Sequence, residues 1–105
     1  MKSYEVLFRP PARKDLISLY RYISSQASPQ IAANYIERLE QAYLKLSSLP
    51  QRGTLFPSRL PGLRSMGFER RATILFCVGT ETVEIVRILH GGRDLRTLIE
   101  NLSGS

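Results

Sequence analysis

The sequence has 105 residues, a length that fits one domain over residues 1–105 and is too short for two ordinary domains. Hydrophobic residues make up 43% and charged residues 23% of it, a composition that excludes an intrinsically disordered chain. Fifteen basic residues against nine acidic ones give a net charge of +6, which predicts an acidic partner such as nucleic acid, an anionic lipid surface or an acidic protein.

The N-terminal part predicts a strand that leads directly into a helix. Tyr4, Val6 and Phe8 alternate with other residues, as in a half-buried strand, and Pro10 with Pro11 ends the run. Apolar residues then recur at three- and four-residue spacing, which predicts a first helix with the stripe Ala12, Leu16, Leu19, Tyr20 and Ile23.

A second helix is predicted to begin at Ser28 and Pro29, because serine caps free backbone N–H groups and proline suits the first helical position. Its predicted apolar stripe extends through about six turns and comprises Ala32, Tyr35, Ile36, Leu39, Ala42, Tyr43, Leu46 and Leu49. The short connection between the helices makes them a predicted hairpin. Three prolines and two glycines among residues 50–62 then predict a loop.

The C-terminal half changes to strand preference. Strands are predicted at 63–66, 71–78 and 83–89, and the short turns between them make the three an antiparallel meander. Asp94 is placed to cap a final short helix. The predicted fold is therefore α+β, with the helical hairpin on one face of a largely antiparallel sheet and the other face solvated or bound by a partner.

Several kinds of site are excluded by residue counts. Cys77 and His90 are the single cysteine and histidine, so no internal disulfide is possible and neither a zinc site nor a Cys–His catalytic pair is convincing. Cys77 lies in an apolar run, which predicts a small buried residue rather than a nucleophile. No signal segment begins the sequence and no run reaches the ~20 apolar residues of a membrane span. We therefore expect a cytoplasmic protein that needs no cofactor or metal and does not bind membranes.

The most distinctive local sequence lies where the last predicted strand meets two glycines. Arg87, His90 and Arg93 there suggest an anion or phosphate site. In the alternative interpretation, which residue types alone favour, the two arginines pair with Asp94 or Glu84. Arg87 and His90 are three residues apart, so their side chains lie on opposite faces of a regular strand. A β-bulge between them could bring both side chains to one face.

A second basic group surrounds the loop and the first turn of the meander, namely Arg59, Arg64, Arg70 and Arg71. Eight arginines against four acidic residues over 52–96 give this half a net charge of +4, so a positive sheet face or rim is plausible. Phe68 and Phe76 are the only aromatic residues of the meander, and Phe76 is expected in the core, so base stacking is weakly supported. Direct nucleic-acid binding stays open.

Six short segments together resemble a known family: ARKDL at 12–16, YRYI at 20–23, SPQIA at 28–32, LSSLPQRG at 46–53, PGLR at 61–64 and VRILHGGRD at 86–94. They are similar to the ParE toxins of type II toxin–antitoxin systems. The resemblance covers roughly residues 4–99, and its last segment is the most specific. It implies the RelE/ParE fold, with an N-terminal strand, a two-helix hairpin, a three-stranded meander and a short C-terminal helix.

The resemblance also implies partners and an activity. ParE relatives inhibit DNA gyrase by binding rather than by turnover, and a ParD-like antitoxin with an acidic C-terminal segment neutralises them. The residues predicted to bind the gyrase target are Arg64, Arg70, Arg87, His90 and Arg93. Those predicted to bind the antitoxin are Leu16, Tyr20, Tyr22, Tyr35 and Arg71, although ordinary core packing is the alternative for the tyrosines, above all Tyr35.

Two alternatives accompany this prediction. The first is a RelE-type ribonuclease that cuts messenger RNA on the ribosome, which needs a base, cations for the phosphate and an acid. Arg64 and Arg87 fall where such enzymes keep phosphate-binding arginines, and His90 is a possible proton donor. No tyrosine follows Tyr43 and no lysine follows Lys45, which argues against the nuclease. The second alternative is a non-toxic module that only binds an antitoxin.

Overall fold

The computed structural model describes residues 3–55 and 62–90. Its elements in chain order are β1 (Glu5–Phe8), α1 (Pro10–Gln26), α2 (Pro29–Leu44), a 3₁₀ turn (Lys45–Ser47), β2 (Thr54–Leu55), β3 (Leu63–Phe68), β4 (Ala72–Val78) and β5 (Thr82–His90). The predicted strand, helical hairpin and meander are confirmed. The predicted C-terminal helix, its cap Asp94 and the candidate Arg93 lie outside the described residues.

One five-stranded sheet has the order β1-β5-β4-β3-β2. The neighbours β5-β4-β3-β2 pair antiparallel, whereas β1 pairs parallel with β5 and aligns Phe8 with Ile85. β1 and β5 can pair parallel because a long connection separates them. The helices and strands between them bring the chain back to the end of the sheet where β1 began. The sheet also contains the two-residue strand β2, which lies within the segment predicted as a loop.

Both helices begin as their sequences predict. Pro10 and Pro11 occupy the first turn of α1, where a missing N–H leaves no hydrogen bond unmade. At the start of α2 the Ser28 hydroxyl accepts a hydrogen bond from the backbone N–H of Ile31 at 3.1 Å. Two residues of the predicted apolar stripes lie outside the core, because the Tyr20 side chain is 38% exposed and the Leu49 side chain is 56% exposed.

The main core lies between the helices and one face of the sheet. The helices bury Leu19, Ile23 and Leu39 against strand residues that alternate along β4 and β5, namely Ile74, Phe76, Val83, Ile85 and Ile88. Each such side chain contributes about 1.5–3 kcal/mol when it is fully buried. This burial holds α1 and α2 on the same face of the sheet.

The opposite face of the sheet also holds buried side chains. Leu63, Leu75 and Leu89 alternate with core-facing neighbours and are themselves 0–5% exposed. The expectation that this face is solvated or bound is therefore wrong for these three positions, which are already covered in the isolated chain. Within residues 3–55 and 62–90, no helix is long and apolar enough to span a membrane.

Candidate functional site

A cleft of about 570 Å³ lies where four elements meet. The C-terminal half of α1, the start of α2, the turn between β3 and β4 and the last residue of β5 form its walls. Its floor is aliphatic and consists of Leu19, Ile23, Ala27 and Ile31. Ile31 is 54% exposed, so part of this apolar surface is open to a partner.

The rim of the cleft is cationic. Arg70 and Arg71 from the β3–β4 turn line it together with His90 and Tyr22, whose rings lie 5.4 Å apart. Among the described lining residues there is no carboxylate, and neither arginine has an ion-pair partner in the part of the chain that the structure describes. The two positive charges are therefore available to an acidic group from another molecule.

Tyr35 forms part of the cleft wall in an unusual way. The side chain is only 4% exposed, and its ring packs edge-on against Phe68 at 5.4 Å. Its hydroxyl is buried and has no hydrogen-bond partner in the described part of the chain. Burial raises the pKa of Tyr35, and the nearby charge of Glu69 adds to the shift. A buried hydroxyl without a partner costs about 1–3 kcal/mol, so this group is unsatisfied until something reaches it.

The turn that carries the rim arginines is strained. Glu69 and Arg70 have φ angles of 49° and 58°, and the N–H of Arg71 donates to the carbonyl oxygen of Phe68 at 3.1 Å. Positive φ at both central positions defines a type I′ turn, which favours Asn-Gly and penalises residues with larger side chains. The sequence places Glu-Arg there, so the turn holds Arg70 in a backbone conformation that arginine rarely adopts.

A tether from α2 holds this turn in place. The Arg38 guanidinium donates two hydrogen bonds to the Glu69 carboxylate, at 2.9 and 3.0 Å, and lies 5.6 Å from the centre of the Tyr35 ring. These hydrogen bonds lower the pKa of Glu69. Glu69 accepts its hydrogen bonds from Arg38 rather than from its sequence neighbour Arg70, and its charge also attracts Arg71.

Arg87 is held by a partner that the sequence did not suggest. Its guanidinium donates two hydrogen bonds to the Asp15 carboxylate at 2.7 and 2.9 Å, and the backbone N–H of Ile88 donates a third at 2.9 Å. These bonds raise the pKa of Arg87. Glu84, one of the two proposed partners, pairs instead with Arg9 at 2.8 Å. The proposed Arg87–Glu84 pair is therefore wrong.

The predicted target residues do not form one cluster. The bulge of β5 precedes Arg87, so it does not bring Arg87 and His90 to the same face of the strand. His90 lies in the cleft, whereas Arg87 lies beside α1. Arg64 donates hydrogen bonds to the side chain of Gln51 at 2.7 Å and to the backbone oxygens of Gln51 and Arg52 at 3.4 Å. Of the four predicted target residues described, only Arg70 and His90 share a site.

Three of the predicted antitoxin-binding residues, Tyr22, Tyr35 and Arg71, line the cleft. Leu16 packs against the core instead, and Tyr20 is partly exposed on α1 without lining the cleft. The predictions from sequence did not include the aliphatic floor or the Arg38 tether. Helical periodicity by itself places Ile31 off the buried stripe of α2, so this part of the floor could have been predicted from it. The Arg38–Glu69 pair joins residues 31 positions apart, and no local pattern indicates it.

The described residues contain no group of three His, Cys, Asp or Glu side chains placed to hold a metal ion. Cys77 is half-buried rather than fully buried, and burial raises the pKa of its thiol. A raised pKa keeps the thiol protonated and weakly nucleophilic. The residues that line the cleft combine aliphatic side chains with Arg70 and Arg71, a surface that suits a group that is both apolar and acidic.

Residues 6–95 match a family model described as the ParE toxin of the type II toxin–antitoxin system parDE. The fold is similar to a chain of a chromosomal ParDE toxin–antitoxin system from P. aeruginosa, with a TM-score of 0.72 and 22% identity over 84% of this chain and 96% of that one. It is also similar to a chain of the toxin–antitoxin complex RelBE2 from Mycobacterium tuberculosis, with a TM-score of 0.61 and 27% identity over 89% of this chain and 97% of that one. No curated protein sequence matches the chain.

Proposed function

Because the chain belongs to the ParE toxin family of type II toxin–antitoxin systems, we propose that it inhibits DNA gyrase by binding and is neutralised by a ParD-like antitoxin. The observation that favours binding over cleavage of RNA is the bidentate contact between Arg87 and Asp15, which also removes Arg87 from the predicted target surface. An arginine whose donors are committed to a carboxylate within its own chain contributes to the fold, and its charge is compensated before any phosphate approaches.

The arrangement of the other charged residues supports binding rather than turnover. Cleavage of RNA needs a base, a cation and an acid that converge on one phosphate. Arg64 on β3 donates to Gln51 and Arg52, whereas Arg87 on β5, with β4 between the two strands, donates to Asp15 of α1. The two arginines that a RelE-type ribonuclease would use therefore do not converge here, and no lysine follows Lys45.

We propose that the acidic C-terminal segment of the antitoxin docks in the cleft. The aliphatic floor suits the apolar side of such a segment, and Arg70 and Arg71 suit its carboxylates. Of the residues predicted for the two partners, Arg70 and His90 were assigned to the target, and Tyr22, Tyr35 and Arg71 to the antitoxin. All five line one cleft, so the antitoxin would neutralise the toxin by covering part of the target surface.

The second candidate function is ribosome-dependent cleavage of messenger RNA. Its support is the likeness to the RelBE2 complex, whose identity with this chain is the higher of the two structural matches. A module that binds an antitoxin without toxicity is the third candidate, since the cleft alone would suffice for it.

Two assays run side by side distinguish these functions. Purified protein is added to DNA gyrase in a supercoiling assay and to a translation reaction whose messenger RNA is then mapped by primer extension. We expect loss of supercoiling and an unchanged transcript. Arg70→Ala should weaken the inhibition, whereas Arg13→Ala, which removes an exposed α1 arginine outside the cleft, should not. Normal supercoiling together with new cleavages inside codons would establish the ribonuclease instead.

A further inference from the structure

We propose that the Tyr35 hydroxyl, Arg70 and Arg71 form a carboxylate-binding subsite within the cleft. It takes one Asp or Glu side chain of the bound antitoxin segment, and the aliphatic floor takes an apolar side chain close to it in sequence. This inference rests on the proposed function, because it specifies the chemistry of the segment that docks there.

The Tyr35 hydroxyl supplies the first half of the subsite. It is a hydrogen-bond donor on a residue that lines the cleft, and no group among the described residues accepts its proton. Buried polar groups in folded proteins are nearly always paired, so an unpaired one in a cleft wall indicates an acceptor from elsewhere. A carboxylate oxygen is the acceptor that also suits the neighbouring charges.

The two arginines supply the second half. Both line the same cleft as Tyr35, and Arg71 is close enough for its positive charge to oppose the rise in the pKa of Tyr35. Arg70 is held at the rim by a strained turn whose other residue, Glu69, is fixed by Arg38. Backbone strain of this kind persists only where the surrounding structure enforces it, and it is concentrated at functional sites.

The floor of the cleft favours a peptide over a nucleic acid. Leu19, Ile23 and Ile31 offer aliphatic contact, which suits a Leu, Ile or Val side chain. Nucleobases bind instead on exposed aromatic faces. The Tyr22 ring is 53% exposed, but the His90 ring lies beside it at 5.4 Å and reduces the face on which a base could stack. An apolar side chain flanked by a carboxylate therefore matches the cleft in both shape and charge.

The test measures the dissociation constant of the full-length toxin for the antitoxin encoded beside it, by isothermal titration calorimetry. Tyr35→Phe should weaken binding about fivefold and Arg70→Ala about tenfold or more, because one neutral and one charged hydrogen bond are lost. Tyr43→Phe and Arg13→Ala are the matched controls, since neither residue lines the cleft, and they should leave the constant unchanged. Among antitoxin variants with single Asp→Asn or Glu→Gln changes, one should weaken binding to the wild-type toxin and have no further effect on Arg70→Ala.

The other outcomes separate the subsite from the proposed function. If no complex forms with the wild-type toxin, the proposed function fails and the subsite with it. If the complex forms and both cleft variants bind as tightly as the wild type, the subsite alone is wrong. A melting temperature lowered by several degrees in free Arg70→Ala would mean that Arg70 already has a stabilising partner within its own chain, and it would overturn the proposal. The proposal would also be overturned if a 12-nucleotide single-stranded RNA bound the wild-type toxin but neither of the two cleft variants.

Discussion

Asp15 and Arg87 join the first helix to the last strand through two hydrogen bonds of 2.7 and 2.9 Å. β1 ends at Phe8, opposite Ile85, so among the described residues no strand lies beside the edge of β5 beyond that point. The Asp15 carboxylate takes the place of that strand by accepting the N–H of Ile88. The Asp15 side chain thus accepts hydrogen bonds both from a backbone N–H at the edge of the sheet and from a partly buried guanidinium.

Replacement of Asp15 should therefore destabilise the protein. Asp15→Ala leaves Arg87, whose side chain is 21% exposed, and the N–H of Ile88 without an acceptor, and we expect a loss of about 1.5–3 kcal/mol in unfolding free energy. Asp15→Asn keeps an acceptor for Ile88 and should lose less. Urea denaturation measures both, and Glu40→Ala on the exposed face of α2 is the control. Equal stability of Asp15→Ala and the wild type would contradict this role.

The two glycines of the β2–β3 region should respond differently to alanine. Gly53 has a φ of +73°, and an added Cβ would overlap the backbone oxygen of Ser65. Gly53→Ala should cost at least about 1–3 kcal/mol, because it adds this clash to the strain of a left-handed backbone. Gly67 has no atom within 4 Å of an added Cβ, so Gly67→Ala should be neutral or stabilising by up to about 1 kcal/mol. Thermal unfolding of the two variants provides the comparison.

The strained β3–β4 turn predicts a substitution that increases stability. Arg70→Gly places the residue that best tolerates a φ of 58° at that position, and we expect a gain of about 0.5–1 kcal/mol. Arg71→Gly is the matched control, because Arg71 has no positive φ and should gain nothing from the change. If Arg70→Gly lowered the unfolding free energy, the arginine would have a stabilising contact that outweighs the strain. The same variant should also bind the antitoxin more weakly.

Tyr35 predicts a loss of stability at high pH. Burial raises its pKa above the ordinary value of 10.0, so the neutral phenol is favoured in the folded protein. The resulting stability is complete below pH 10 and is lost as the pH rises through the folded-state pKa. The unfolding free energy of Tyr35→Phe should fall less steeply in this range. Since burial also raises the pKa of Tyr43, Tyr43→Phe should remove a separate part of the decline, and a double variant should remove both.

Local sequence patterns determined the order and type of the elements. Helical periodicity identified α1 and α2, and Ser28 with Pro29 located the start of α2, because caps and first-turn prolines act within a few residues. Strand alternation and short turns identified the meander for the same reason. The two-residue strand β2 was missed, since a strand of that length has no period of its own and forms only because β3 lies beside it.

Residue counts also determined which kinds of chemistry could be set aside, because one cysteine and one histidine are too few for the sites that need several. The tertiary structure alone decided the positions of the charges. Asp15 and Arg87 are 72 residues apart, and Arg38 and Glu69 are 31 apart, so no local pattern indicates either pair. Within the described residues, these pairs leave Arg70 and Arg71 without an ion-pair partner. Two charged side chains pair only when the folded chain brings them within a few ångströms of each other. For residues far apart in sequence, that distance is determined by the complete fold.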